Sequence, residues 1–180
     1  MRPCAEELER ELFILTQETL QQAGYEQYEI SNYCLPGYRS RHNQAYWSGS
    51  PYLGLGPSAH SFDGRRRWWN VRDVDQYMHS ISVCNHAVAD SETLTAEQME
   101  IESVMLGLRR VEGVALAGLP FQPAQAAAAL AGIDDCSRPF QSSAGNKLIT
   151  QADGRLALTR EGLLLYNYVC EKLCSLITSA

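Results

Sequence analysis

The first apolar pattern of the chain is a stripe of leucines between residues 5 and 22. The leucines recur at roughly helical spacing, and acidic residues crowd the first turns, where they complement the helix dipole. Gly24 stands where a C-terminal helix cap belongs. The pattern predicts an amphipathic helix over residues 5–22, with its stripe formed by Leu8, Leu12, Leu15 and Leu20.

The following apolar segments predict strands alternating with a helix. "YEQYEISNY" is rich in aromatic and β-branched residues, and Tyr28 and Ile30 alternate in it against Glu29. "PYLGLGPSAHS" predicts a second, buried strand, and "NVRDVDQYMHSI" predicts a helix with Asn70 as its N-cap. Such alternation favours an α/β architecture with a parallel sheet.

The local composition of the sequence changes near Val88, where "ADSET" is typical of a polar linker. We therefore predict one part over residues 1–88 and a second part over residues 89–180. In the second part, Thr95 and Gln98 have the spacing of a capping box at the start of the helix "AEQMEIESVMLGLRR". One face of that helix is apolar and consists of Ile101, Val104, Met105 and Leu108.

The remaining signals predict a second helix, a hairpin and a last helix. Pro123 and Gly132 frame the short second helix, and Asp153 with Gly154 marks the turn of the hairpin. Thr159 caps the last helix, "REGLLLYNYVCEKLCSLI". This order resembles a small α+β, winged-helix-like module, but its hairpin and last helix carry too few basic residues to cover a nucleic-acid groove.

Composition indicates a globular protein and argues against nucleic acid as a partner. Of 180 residues, 45% are hydrophobic and 20% charged, and the net charge is −6. Binding a phosphate backbone requires clustered excess lysine and arginine. The sequence contains no apolar run of about eighteen residues and starts without the features of a secretory signal. We therefore expect a cytoplasmic protein without a transmembrane segment.

The cysteines are too scattered for a disulfide framework, which predicts reduced thiols. Iron–sulfur clusters normally take several thiolates from one short loop such as CxxxCxxC, and the sequence has no such loop. Cys170 and Cys174 fall on one face of a predicted helix, where packing in a core is favoured over metal ligation. The six positions are Cys4, Cys34, Cys84, Cys136, Cys170 and Cys174.

Two further motifs could bind a ligand, but each also has a purely structural explanation. The glycines of "YLGLGPSAHS" allow the backbone to approach a flat or anionic ligand, or simply to pack tightly. "GRRRWW" is suited to holding carboxylates or phosphates through Arg65, Arg66 and Arg67, or to forming a solvated loop above tucked aromatic rings.

Six motifs occur in order along essentially the whole chain: "YEISNY", "PGYRSRHNQAYW", "YLGLGPSAHS", "RRRWWNVRDVDQYM", "LGLRRVEGV" and "LALTREGLLLYN". This series resembles the C-terminal half of the HemW-like family of radical S-adenosylmethionine proteins, relatives of oxygen-independent coproporphyrinogen III oxidase that are regarded as heme chaperones. The resemblance implies the end of an incomplete radical SAM β/α barrel over residues 1–88 and the family's C-terminal domain over residues 89–180.

The stretch "HNQAYW" matches the family's HNxxYW motif, which is associated with heme. Neutral imidazole is a normal axial ligand of heme iron, so His42 is the candidate ligand. Tyr46 and Trp47 are candidates to pack on the macrocycle, and Arg39 or Arg41 to pair with a propionate. The alternative is that His42 and its neighbour only satisfy the backbone of a loop. The implied heme-binding residues are Arg41, His42, Asn43, Tyr46 and Trp47.

The resemblance also implies a four-iron cluster and S-adenosylmethionine in full-length members. In the related oxidase, the segment equivalent to "GLGPSAH" lies near the S-adenosylmethionine region, so Gly54, Gly56, Ala59 and His60 are candidate cofactor neighbours. This chain lacks the CxxxCxxC loop that would ligate the cluster, and we expect no reductive cleavage of S-adenosylmethionine by it alone. We expect a fragment, a truncated product or one part of a split protein, with exposed apolar faces.

The leading hypothesis is therefore the C-terminal portion of a heme chaperone, which binds heme and passes it to an acceptor protein. One alternative is a fragment of an oxygen-independent coproporphyrinogen III oxidase-like oxidoreductase. Another is a non-catalytic module in which residues 95–180 dock a protein partner.

Overall fold

The computed structural model describes residues 5–131 and 148–178, and every pair of strands in them is antiparallel. The strands are β1 (Glu26–Glu29), β2 (Asn32–Cys34), β3 (His60–Phe62), β4 (Arg66–Asn70), β5 (Val88–Thr93), β6 (Val114–Ala115), β7 (Ile149–Ala152) and β8 (Arg155–Leu158). β1 and β2 form a hairpin, and the other sheets have the orders β3-β4-β5 and β6-β8-β7. The expected parallel arrangement is wrong for these residues. Short turns join β1 to β2, β3 to β4 and β7 to β8, and β5 pairs antiparallel with β4 although a helix, Val74–Cys84, lies between them in the chain.

The helices are α1 (Glu6–Gln22), α2 (Arg41–Trp47), α3 (Val74–Cys84), α4 (Ala96–Arg109), α5 (Pro123–Leu130), α6 (Arg160–Leu164) and α7 (Tyr166–Thr178). The mixed helix and strand content of the predicted fold class is confirmed. So is the first predicted helix, which ends before Gly24, a residue with a φ of 86°. Among the described residues, no helix has the length and apolarity that crossing a membrane requires.

The hairpin of β1 and β2 differs from its predicted alternation. Glu29 is completely buried, whereas Ile30 is half-buried. The pairing register shifts between Gln27 and Glu29, and such an irregularity changes which side chains share a face of the hairpin. The carboxylate of Glu29 consequently points into the protein.

Residues 51–59 are a loop and not the predicted buried strand. A single bridge between Tyr52 and Phe62 ties the loop to β3, and Leu53 and Leu55 are 71% and 83% exposed. The predicted N-cap of the next helix is also wrong. Asn70 ends β4 and donates its side-chain amide to the carbonyl of Gly56, while the Asp73 carboxylate caps α3.

The predicted linker "ADSET" is strand β5, which pairs with β4 at the edge of its sheet. Arg67 of β4 lies opposite Glu92 of β5, and oppositely charged cross-strand pairs stabilise a sheet. Polar composition therefore marks an edge strand here and not a loop. The division of the chain at residue 88 stays a prediction.

The predicted local signals of the second part are confirmed. Thr95 and Gln98 form both hydrogen bonds of the capping box, and Pro123 opens α5. The turn between β7 and β8 has positive φ at Asp153 and Gly154, as a tight hairpin requires.

The last predicted helix is divided in two. The Thr159 hydroxyl caps α6 by accepting from the N–H of Gly162, as predicted, but Leu165 has a φ of −103° and separates α6 from α7. Gly132, the predicted end of the helix that starts at Pro123, lies outside the described residues.

The largest buried cluster belongs to the second part of the chain. It lies between α4, α5, α7 and the sheet of β6, β7 and β8, with Phe13 of α1 and Ile30 packed against it. The predicted core face of α4 is confirmed at Val104 and Leu108, whereas Met105 is 37% exposed. The buried residues are Val104, Leu108, Phe121, Ala126, Leu130, Leu148, Leu156, Leu158, Leu163, Val169, Cys170, Leu173 and Ile177.

Apolar side chains are exposed on one face of α1 and one face of α3, as expected. They recur at helical spacing, so each set forms a continuous stripe. The exposed residues are Leu8, Leu12 and Leu15 on α1 and Val74, Met78 and Ile81 on α3.

Replacing Gly113 by alanine is expected to destabilise the fold. Gly113 has a φ of 66°, and an added Cβ would lie 1.9 Å from the carbonyl oxygen of Leu156. Strain and overpacking together predict a loss of about 3 kcal/mol in the free energy of unfolding, measured by urea denaturation. Gly118→Ala is the control, because a Cβ there meets no atom within 4 Å. Equal stabilities of the two variants would contradict the close packing at Gly113.

Candidate functional site

The motif "HNQAYW" lies in α2, a short helix that is held at its first turn. The hydroxyl of Ser40 accepts from the N–H of Asn43 at 3.3 Å and caps the helix. The side-chain amide of Asn43 donates to the hydroxyl of the buried Tyr28 at 3.4 Å. Asn43 therefore fixes α2 against the β1–β2 hairpin. This is a structural role, similar to the alternative in which Asn43 only satisfies nearby hydrogen-bonding groups.

His42 is exposed at the start of α2 and is the first of a chain of aromatic rings. Its ring meets the edge of Tyr46 with centroids 4.8 Å apart, and Tyr46 in turn lies 4.5 Å from Tyr52. Tyr52 continues the chain to Phe62 at 6.2 Å. An imidazole in this position is free to ligate a metal from solvent, with aromatic surface beside it.

Trp47 is held by an arginine from the end of α4. The guanidinium carbon of Arg109 lies 4.5 Å from the ring centroid of Trp47, a cation–π contact. Arg109 Nε also donates to the buried carboxylate of Glu29 at 2.7 Å. The N–H of Ser31 and the amide of Asn32 donate to the second oxygen of Glu29. These contacts tie β1, α4 and α2 together.

Tyr46 and Trp47 form part of the wall of a groove of about 670 Å³. Its size falls within the usual range of small-molecule sites, about 300–1,000 Å³. We call it the arginine groove, because its lining contains four arginines and, among its described residues, one acid, Glu102. Its lining includes Tyr46, Trp47, Tyr52, Phe62, Met105, Arg67, Arg109, Arg110 and Arg155.

The structure separates the predicted heme-binding residues into two sets. Tyr46 and Trp47 line the arginine groove, whereas Arg41, His42 and Asn43 do not. Tyr46 connects the sets, because it contacts His42 and also lines the groove.

The arginines near the motif differ in how they are paired. Arg39 is bound by the carboxylates of Glu26 and Glu112, which occupies the guanidinium that was a candidate for a propionate. Burial opposes ionisation of Glu112, but the hydrogen bond from Arg39 holds the pKa of its carboxyl below the ordinary value. Arg41 is exposed and has no ion pair within the described part of the chain.

Four residues of the "GRRRWW" segment, from Arg66 to Trp69, belong to strand β4, and one of its arginines binds carboxylates of this same chain. Arg67 pairs with Glu102 at 2.7 Å and with Glu92 at 3.3 Å, and its guanidinium lies over Phe62. One of the three arginines is thereby committed to internal ion pairs.

The candidate cofactor neighbours lie at β3 and the loop before it, and none of them belongs to the described lining of the arginine groove. An added Cβ at Gly54 would lie 2.1 Å from the carbonyl oxygen of His60, so this glycine permits a close approach of two backbone segments. Gly56 has a φ of 106°, and Ala59 accepts a backbone hydrogen bond from Asn70. The exposed ring of His60 stacks near Trp69 at 5.6 Å. Proximity of these residues to S-adenosylmethionine stays a prediction.

The described residues do not fit a four-iron cluster. No group of three or more histidine, cysteine or acidic side chains among residues 5–131 and 148–178 is placed to hold a metal ion. Cys34 and Cys170 are buried in different elements, Cys84 is exposed, and Cys174 lies partly buried on α7. Cys4 and Cys136 lie outside the described residues. We assign no step of radical chemistry to these side chains.

Sequence reasoning missed Glu29, Arg109, Arg110 and Arg155 as contributors to the site. The motif "LGLRRVEGV" contains two of them, but a charge pattern on one helix does not reveal a partner 80 positions away in the chain. Glu29 lies between apolar residues in "YEI", and this pattern could have indicated a buried carboxylate. A buried carboxylate requires a cationic partner, so the pattern could also have indicated that an arginine or lysine contacts it.

Comparison with known proteins finds similarity to proteins whose names refer to heme or to coproporphyrinogen. No family model matches the chain. It is 40% identical over 105 residues to a protein named heme chaperone HemW of Mycobacterium tuberculosis, which covers 58% of this chain and 27% of that protein. It is 35% identical over 170 residues to heme chaperone HemW of Synechocystis, covering 87% of this chain and 41% of that protein. The chain thus spans less than half the length of these curated relatives.

A mitochondrial protein of Bos taurus named radical S-adenosyl methionine domain-containing protein 1 is 30% identical over 116 residues, covering 60% of this chain and 26% of that protein. Among solved structures, coproporphyrinogen III oxidase (HemN) from Escherichia coli, described as a radical SAM enzyme, matches with a TM-score of 0.64. The match covers 89% of this chain and 39% of that one at 19% identity. This likeness concerns the fold.

Replacing Glu29 by glutamine is expected to destabilise the protein, because it leaves Arg109 with a neutral partner in a buried site. Loss of a buried pair predicts a decrease of about 3 kcal/mol in the free energy of unfolding, measured by urea denaturation. Glu18→Gln is the matched control, because its pair with Arg160 is about half exposed and predicts a change below about 1 kcal/mol. Similar losses in both variants would contradict a larger contribution of the Glu29–Arg109 pair to the free energy of unfolding.

Proposed function

We propose, on the premise that this chain is a relative of the heme chaperones named HemW, that it is the heme-binding C-terminal portion of such a protein. It binds heme as cargo, with His42 as axial ligand of the iron, and releases it to an acceptor protein. The observation that carries the proposal is the exposed imidazole of His42 beside the Tyr46 ring, on a helix that is anchored at its first turn.

The surroundings of His42 support this role. The first residues of α2 are fixed by Ser40 and Asn43, so little freedom is lost when the imidazole binds iron. The ring of Tyr46 offers apolar surface for a macrocycle, and exposed Arg41 places a positive charge beside the ligand, which favours an anionic cargo. Trp47 continues the aromatic surface into the arginine groove.

The proposal includes the division of the chain. Residues 1–88 are the end of a radical SAM barrel domain, and residues 89–180 are a winged-helix-like C-terminal domain. The order of α4, α5, the β7–β8 hairpin and the final helices supports the second domain.

The oxidoreductase alternative has weaker support. The likeness to the E. coli oxidase is a likeness of fold at 19% identity. The curated sequence relatives at 35–40% identity carry the name of a heme chaperone.

Substitution of His42 by alanine is expected to weaken heme binding. Loss of an axial ligand predicts an affinity for hemin at least about tenfold lower and loss of the Soret shift that accompanies ligation, both measured by absorbance titration. His79→Ala is the matched control, because His79 is an exposed histidine on α3 outside the site. An unchanged Soret shift in His42→Ala would contradict the ligand assignment.

A further inference from the structure

Unsatisfied polar atoms concentrate at one place in the described structure. Three buried side-chain atoms there lack a hydrogen-bond partner: Nε1 of Trp47, Nε of Arg110 and Oε2 of Glu112. Trp47 and Arg110 both line the arginine groove. Buried polar atoms without partners are rare in folded proteins, and an unfilled ligand site is one physical reason for them.

Arg110 is the least satisfied of the groove arginines. Its Nε lies 3.7 Å from Glu112, too far for a hydrogen bond, and that carboxylate is already bound by Arg39. By contrast, Arg67 is paired with Glu102 and Arg109 with Glu29. The guanidinium of Arg110 thus retains donors and positive charge in the groove.

Arg155 adds a second cation without an acidic partner among the described residues. Its Nε donates to the carbonyl of Glu112 at 2.7 Å, and an Nη donates to the carbonyl of Gly113 at 2.5 Å. Both contacts fix the orientation of the side chain and leave its charge uncompensated. In a chain with a net charge of −6, Arg155 without an acidic partner and Arg110 with only a 3.7 Å ion pair to Glu112 favour an anionic occupant of the cavity.

The rest of the groove wall is aromatic and apolar. Tyr46, Trp47, Tyr52, Phe62 and Met105 line it, so an occupant must combine a large apolar body with an anionic edge. Guanidinium groups bind carboxylates through paired N–H donors, which suits carboxylates at such an edge.

We propose that the arginine groove holds the carboxylate edge of the tetrapyrrole, with Arg110 and Arg155 binding its propionates. This assignment rests on the proposed function for the identity of the cargo. Tyr46 contacts both His42 and the groove, so a macrocycle ligated at His42 extends over Tyr46 toward the two arginines. The groove thereby recognises the carboxylates, and His42 binds the iron.

The test compares hemin with hemin dimethyl ester, in which both propionates are neutral. Each is titrated into the unmodified chain, into Arg110→Gln and into Arg72→Gln, a control at an exposed arginine outside the groove. We expect the unmodified chain and the control to bind the ester at least about tenfold more weakly than hemin. In Arg110→Gln, we expect hemin affinity to fall while ester affinity changes little, so that the difference between the ligands shrinks.

The possible outcomes separate the two proposals. Equal affinity of the unmodified chain for both ligands overturns the groove assignment and leaves heme binding intact. Preservation of the full preference for hemin in a folded Arg110→Gln variant, checked by its thermal unfolding, overturns it as well. Failure of both ligands to bind overturns the proposed function together with this assignment.

Discussion

The carboxylate of Glu29 has no exposed surface, and a buried charge is tolerated only when it is paired and hydrogen-bonded. Arg109 supplies the charge, and Ser31 and Asn32 supply further donors. Backbone contacts reinforce the same junction, because the N–H of Ile30 donates to the carbonyl of Arg109. The β1–β2 hairpin and the end of α4 are therefore fixed together, although they lie far apart in the sequence.

This junction determines the geometry of the site. Arg109 contacts Trp47 through its guanidinium face, so the end of α2 is held against α4. The arginine groove is lined by residues of α2, α4, β3 and β4 and by residues of β6, β8 and α7. The first turn of α2 leaves His42 exposed, while its last turn supplies aromatic surface to the groove. A single short helix thus presents a metal ligand and a binding wall in neighbouring positions.

The sequence predicted the features that depend on neighbouring residues. The capping box of Thr95 and Gln98, the Asp153–Gly154 turn and the cap at Thr159 involve groups within three positions of one another, and all three are confirmed. The features that it did not predict depend on distant partners. Polar β5 is a strand because β4 lies beside it, and buried Glu29 is stable because Arg109 reaches it. The motif order identified the family resemblance and the stretch "HNQAYW", but it did not predict that this stretch is a helix. The cavity lined by Arg110 and Arg155 likewise required the tertiary structure.

The most direct test of this account is an NMR measurement on the chain with ¹⁵N-labelled tryptophan indoles. Gallium protoporphyrin IX, a diamagnetic analogue of heme, is added, and the indole N–H signals of Trp47 and Trp69 are compared, because ring-current shifts act only at short range. Trp47 lines the arginine groove, whereas Trp69 lies beside His60 in the predicted cofactor region. The account predicts a saturable shift of the Trp47 signal with little change at Trp69. A shift confined to Trp69, or bound porphyrin that leaves Trp47 unperturbed, would contradict it.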